Sequence, residues 1–173
     1  KVKDVMTTSP LWVEEDFSIK KLTRLIFTTN RPGFPVVKNG KVIGFIAEED
    51  IFYKIYNIHS KKLNGKNMLN DILDKKVKDY MVKDAVTIRP DDSIVDAQTL
   101  LYKHNFFQLP VVDERGMLVG ILGRGDVFRY VIEKEMPSLE ESEFKSFIAT
   151  NYDHMIDWEK RFDFEFPTLF RIF

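Results

Sequence analysis

Cysteine is absent from the 173 residues, so neither a disulfide framework nor thiol chemistry is available. Histidine is scarce: His59, His104 and His154 stand far apart, with no spacing that suits a metal ligand set. No apolar run approaches the roughly 20 residues of a membrane span. The first residues, Lys1-Val2-Lys3-Asp4, carry no secretory apolar core and no initiating Met. The chain is therefore expected to be a segment of a cytoplasmic protein. Sequences that announce catalysis are missing too: no Gly-x-Ser-x-Gly, no His-Glu-x-x-His, no Walker loop and no Gly-x-Gly-x-x-Gly. A binding module is expected, with no catalytic residues, no metal and no required cofactor.

Charge of one sign is also lacking. The net charge is −1, with 44% hydrophobic and 31% charged residues, an ordinary globular balance. The distribution is uneven: residues 1–132 carry a net +4 and residues 133–173 a net −5. No stretch concentrates the basic charge that nucleic acid requires, so no nucleic-acid partner is expected.

What is present is a duplication. Val2-Lys3-Asp4-Val5-Met6 returns as Val77-Lys78-Asp79-Tyr80-Met81, and Phe34-Pro35-Val36-Val37 returns as Leu109-Pro110-Val111-Val112, both at an offset of 75. Ser18-Ile19 matches Ser93-Ile94, and Asn30 matches Asn105. Past a turn the offset becomes 76, where Gly44 and Asp50 match Gly120 and Asp126. One residue inserted in a surface turn accounts for the change. Two βαββα units therefore occupy 1–56 and 76–132, joined by a linker at 57–75.

Local chemistry within each unit is explicit. Ser18 and Ser93 are N-caps for helices bearing Ile19, Leu22, Leu25 and Ile26, and Ile94, Ala97, Leu100 and Leu101. Asn30 can take the left-handed conformation that ends a helix. Lys38-Asn39-Gly40-Lys41 and Asp113-Glu114-Arg115-Gly116 are hairpin turns. The linker reads as a loop plus one short helix, with Leu63, Met68, Leu69, Ile72 and Leu73 as packing points. After the second hairpin, Gly123-Arg124-Gly125-Asp126 opens a helix, a corner whose amides can face an anion.

This unit resembles the cystathionine-β-synthase (CBS) domain, which occurs in tandem pairs that sense adenosine-containing ligands. The resemblance rests on Val-Lys-Asp-Val/Tyr-Met, Pro-Val-Val and Gly-x-x-x-x-x-Asp in both copies, and covers about three quarters of the chain. It implies an α/β fold of two repeats related by pseudo-twofold symmetry. It also implies a regulatory ligand: AMP, ATP or S-adenosylmethionine. Asp50 and Asp126 would accept hydrogen bonds from the ribose hydroxyls, since two adjacent donors match two carboxylate oxygens. The base would lie against Phe34-Pro35 or Leu109-Pro110, sandwiched by first strands placed at Pro10-Leu11-Trp12 and Ala85-Val86-Thr87.

Both copies depart from the family where a Thr or Ser usually contacts phosphate, because Ala47 and Gly123 stand there. Glu48 and Glu49 crowd the first site with negative charge, whereas the second offers Arg124 with Gly123 and Gly125. The second site is thus expected to be the better one. The resemblance further implies a homodimer, joined through apolar helices expected at 50–56 and 126–132. Residues 133–173 hold nine of the 23 aromatic residues, with a capping-box pattern at Ser138-Leu139-Glu140-Glu141. They are read as a helical, aromatic-rich extension, or the start of a further domain. Two alternatives accompany the sensor reading: a scaffold with degenerate sites, and the regulatory fragment of an enzyme such as a methyltransferase.

Overall fold

The computed structural model describes residues 1–60 and 65–135, with side chains at 57–60, 65–68 and 135 left out. The expectations for 136–173, including the capping box and the aromatic helix, lie outside the described residues, as do those for Leu63 and Met68. Residues 1–130 form one unit. Of the second unit, 131–173, only the end of the last helix is described.

Each repeat begins with a short 3-10 turn, at Val2–Asp4 and Val77–Asp79. The elements that follow are β1 (Thr7–Thr8), α1 (Ile19–Thr29), β2 (Gly33–Lys38), β3 (Lys41–Ala47) and α2 (Glu48–Ser60). After α3 (Gly65–Leu73) come β4 (Val82–Lys83), α4 (Ile94–Lys103), β5 (Gln108–Val112), β6 (Leu118–Gly123) and α5 (Arg124–Glu135). The caps are those the sequence dictates. The Ser18 and Ser93 hydroxyls accept from the amides of Lys21 and Asp96, and Asn30 and Asn105 take φ of 49° and 55°. Asn39 and Gly40 hold φ of 51° and 79°, the pair of positive values that matches a tight hairpin to strand twist. Helix α2 runs on to Ser60, so most of the expected 57–75 linker is helical. Helix α5 starts two residues before Asp126.

The two sheets are not each built from one repeat. β1 pairs antiparallel with β6, Thr7 opposite Ile121, while β4 pairs with β3, Val82 opposite Phe45. Each repeat thus lends its first strand to the other, giving sheets ordered β1-β6-β5 and β2-β3-β4. This corrects the expected first strands: Pro10-Leu11-Trp12 and Ala85-Val86-Thr87 lie outside any strand, three residues or so beyond the exchanged segments. Gly44 and Gly120 explain themselves here. A Cβ on Gly44 would stand 2.6 Å from the Val82 carbonyl oxygen, and one on Gly120 would stand 2.6 Å from Met6 Sδ. A glycine within an apolar strand marks such a close approach.

The exchange is locked around the strands. Val2 and Lys3 donate their amides to the carbonyls of Asp92 and Pro90, and Val77 and Lys78 do the same to Phe17 and Glu15. Val2 and Val77 are fully buried, and Val77 belongs to the core formed by Ile19, Leu22, Phe34, Val36 and Ile46 of the first repeat. Lys3 reaches Asp91, while Lys76 and Lys78 reach Asp16, at 2.8–3.0 Å. These pairs are solvated and contribute little each. Even so, hydrogen bonds from Lys78 and Lys76 hold the Asp16 carboxyl down at about 2.

Proline within β2 and β5 costs no ladder bond. The Pro35 and Pro110 carbonyls accept from Val13 and Ile88 on the edge away from the hairpin partner. The missing amide of each ring points to that same edge.

Candidate functional site

The exchange brings two places from the sequence together. A cavity of about 350 Å³ opens beside the start of α2. The first repeat lines it with Pro32, Phe45, Ala47, Glu49 and Asp50. The second repeat contributes Val82, Asp84, Ala85 and Val86, the exchanged strand and the segment after it. The end of α4 and β5 complete it with His104, Asn105, Phe106, Phe107, Gln108 and Pro110. Its volume lies at the lower end of the range for small-ligand sites, roughly 300–1,000 Å³.

Asp50 is placed by its own helix. Its Oδ2 accepts the Ala47 amide at 2.8 Å, closing the first turn of α2. Half-burial pushes its carboxyl up from the ordinary value, opposed by that amide and reinforced by the charge of Glu49. A carboxylate with one acceptor site used retains others for a ligand. Gln108 supplies a second polar group: its Oε1 is buried and accepts no hydrogen bond from the described residues. A buried acceptor left unpaired is costly, and a donor from a ligand would relieve it.

The sequence-predicted residues separate into two sets. Asp50, Ala85, Val86 and Pro110 converge on the cavity. Phe34, Pro35 and Leu109 are fully buried and do not line the cavity. Leu11 is exposed, and Trp12 faces a different hollow with Glu15 and Lys38. Thr87 does not line the cavity.

Asp126 repeats the capping role of Asp50, its Oδ2 accepting the Gly123 amide at 2.8 Å, and it too lies outside the cavity lining. Arg124, expected to be available to an anion, is already engaged. Its Nε donates to the Phe106 carbonyl at 2.6 Å, its Nη2 to Asn105 Oδ1 at 2.8 Å, and its guanidinium lies 4.6 Å from the Phe107 ring centre. The favoured second site therefore loses its cation to the end of α4.

Sequence reasoning missed Phe45, Val82, Asp84, Phe107 and Gln108. Gly44 was the available signal, since it marks the strand that another backbone approaches. The partner of that strand could not be read from it.

Two intertwined α/β repeats with a cleft of mixed ownership define a tandem α/β pair. The CBS domain family model matches residues 2–57 and 77–133, and the chain belongs to that family. It is 33% identical to the Methanocaldococcus jannaschii protein MJ1426 over 154 residues, covering 76% of this chain and 90% of that protein. A second protein of that organism, MJ0188, is 33% identical over 162 residues, covering 92% of this chain, which spans 55% of its length. Among solved structures the fold is similar to CBSX2 of Arabidopsis thaliana in complex with AMP. That similarity has a TM-score of 0.65 and 28% identity, and it covers 78% of this chain and 97% of that one. Among the described residues no helix is long and apolar enough to cross a membrane.

Proposed function

We propose that this CBS pair is a regulatory sensor of an adenosine ligand bound in the Asp50 cleft. The observation that carries the reading is the shared ownership of that cleft. Phe45, Ala47 and Asp50 come from one repeat, while Ala85, Val86, Phe107 and Pro110 come from the other. Apolar walls suit the base, the Asp50 carboxylate suits the ribose hydroxyls, and the Gln108 acceptor suits an exocyclic amine. The AMP complex of CBSX2 supports the ligand class. A ligand that touches both repeats binds one packing of the pair better than another, and so shifts the population toward it. An attached or associated effector in the cytoplasm reads the shift.

An adenosine ligand at about 100 times its Kd adds roughly 2.7 kcal/mol of stability. The melting temperature is then expected to rise by some ~5–10 °C for a chain of this size. Scanning calorimetry with adenosine, AMP, ATP and S-adenosylmethionine at millimolar concentration checks this. A flat response to all four sinks the sensor and leaves an oligomerisation scaffold.

The post-hairpin helices support a homodimer. Ile51 and Val127 are buried in the fold, but Phe52 and Phe128, at 59% and 68% exposure, present apolar surface outward together with Tyr53 and Tyr56. Equivalent helices of the two repeats carrying exposed rings suit a twofold, self-complementary interface. Light scattering at tens of micromolar is expected to report twice the 20.4 kDa of one chain. Phe52→Glu with Phe128→Glu should return it to the monomer mass, and a wild-type particle of monomer mass refutes the dimer.

A further inference from the structure

We propose that the Asp50 cleft selects adenosine derivatives with no negative charge at the 5′ position, and favours a cationic one such as the sulfonium nucleoside S-adenosylmethionine. The inference rests on the adenosine-sensing reading and narrows its ligand.

Among the described residues the lining contains three carboxylates, Glu49, Asp50 and Asp84, and neither Lys nor Arg. A phosphate entering this cleft meets like charge, and no described lining residue supplies a cation. Two cations of the neighbouring elements, Arg124 and Lys54, are engaged elsewhere. Arg124 is held by the Phe106 carbonyl and Asn105 and does not line the cleft. Lys54, whose charge is felt by Asp50, carries its ammonium over the Tyr80 ring, 5.6 Å from its centre. His104 lines the cleft with its ring stacked on Phe106.

A helix N-terminus can hold an anion with unpaired amides. Here the amide of Ala47 is taken by Asp50 at 2.8 Å, and that of Glu48 by the Pro32 carbonyl at 2.8 Å. Ala47 also offers no hydroxyl. For a cation the same arrangement works in reverse. Burial makes the charged form of Asp50 unfavourable, and a positive group in the cleft restores it.

Calorimetric titration at pH 8 with adenosine, S-adenosylmethionine, AMP and ATP tests the selection on three proteins. These are the wild type, a Glu49→Gln/Asp84→Asn double variant, and Ala85→Trp, which fills the cleft from a segment outside any strand. Wild type is expected to bind S-adenosylmethionine at least about tenfold more tightly than AMP. The double variant should narrow that gap to within about threefold, mainly by admitting AMP. Ala85→Trp should abolish S-adenosylmethionine binding, which places it in this cleft, and any AMP binding that survives Ala85→Trp belongs elsewhere and agrees with the selection. The selection is overturned if AMP or ATP binds as tightly as S-adenosylmethionine and Ala85→Trp removes it. It is also overturned if S-adenosylmethionine binding ignores Ala85→Trp, or if the double variant leaves the gap unchanged. In the first of these cases the adenosine sensor stands. If none of the four binds, the sensor falls and the selection with it.

Discussion

Asp50→Ala is expected to weaken an adenosine ligand at least about tenfold, while Asp126→Ala changes affinity by less. The carboxylate of Asp50 lines the cleft, and a hydrogen bond to a charged group is worth roughly 1.5–3 kcal/mol. One such bond to the ribose already exceeds the ~1.4 kcal/mol that makes a factor of ten. Both aspartates close the first turn of their helices in the same way, through the amides of Ala47 and Gly123 at 2.8 Å. Removing either should therefore lower the melting temperature of the free protein by a similar amount, about 1 kcal/mol of cap energy. Comparing the two variants thus separates binding from capping. Asp50→Asn keeps an acceptor for the Ala47 amide and should hold stability while still losing affinity. If Asp50→Ala and Asp126→Ala lower stability alike and neither changes calorimetric affinity, both residues are caps and nothing more. This order of importance reverses the one drawn from sequence, where Arg124 favoured the second site.

Gly44→Val should be among the most damaging single changes available. A Cβ there would stand 2.6 Å from the Val82 carbonyl oxygen and 3.2 Å from Met81 Sδ. The carbonyl is backbone and cannot swing aside, so the exchanged strand β4 must move. β4 is two residues long and pairs only through Gly44–Lys83 and Phe45–Val82, so it has little to resist with. Overpacking of this kind costs about 1–3 kcal/mol, a fall of some ~3–10 °C in melting temperature. The segment displaced carries Val82, Asp84, Ala85 and Val86, so ligand binding should go with it. Gly125→Ala is the control. Among the described residues nothing lies within 4 Å of its added Cβ, and it sits in the first turn of α5, so stability should hold or rise slightly. Equal losses for the two variants, with ligand binding intact in Gly44→Val, would overturn the role given to the exchange.

What the sequence determined by itself was whatever short-range chemistry controls. Ser18 and Ser93 specify helix starts because their hydroxyls meet amides three residues away, and Asn39-Gly40 specifies a turn because few residues tolerate positive φ. The duplication carried the family and the α/β class, since the same local signals recur in the same order. The tertiary structure alone decided who pairs with whom. A strand of two residues, such as Thr7–Thr8, carries too little pattern to name its partner, and that partner, around Ile121, lies almost a whole repeat pair away in the chain. The site followed from that pairing: exchanging the strands put Ala85 and Val86 beside Asp50, while Phe34 and Leu109 went to the core. Arg124 shows the same division. Its charge is legible in the sequence, but its commitment to Phe106 and Asn105 depends on where α4 ends in space, and long-range packing sets that position.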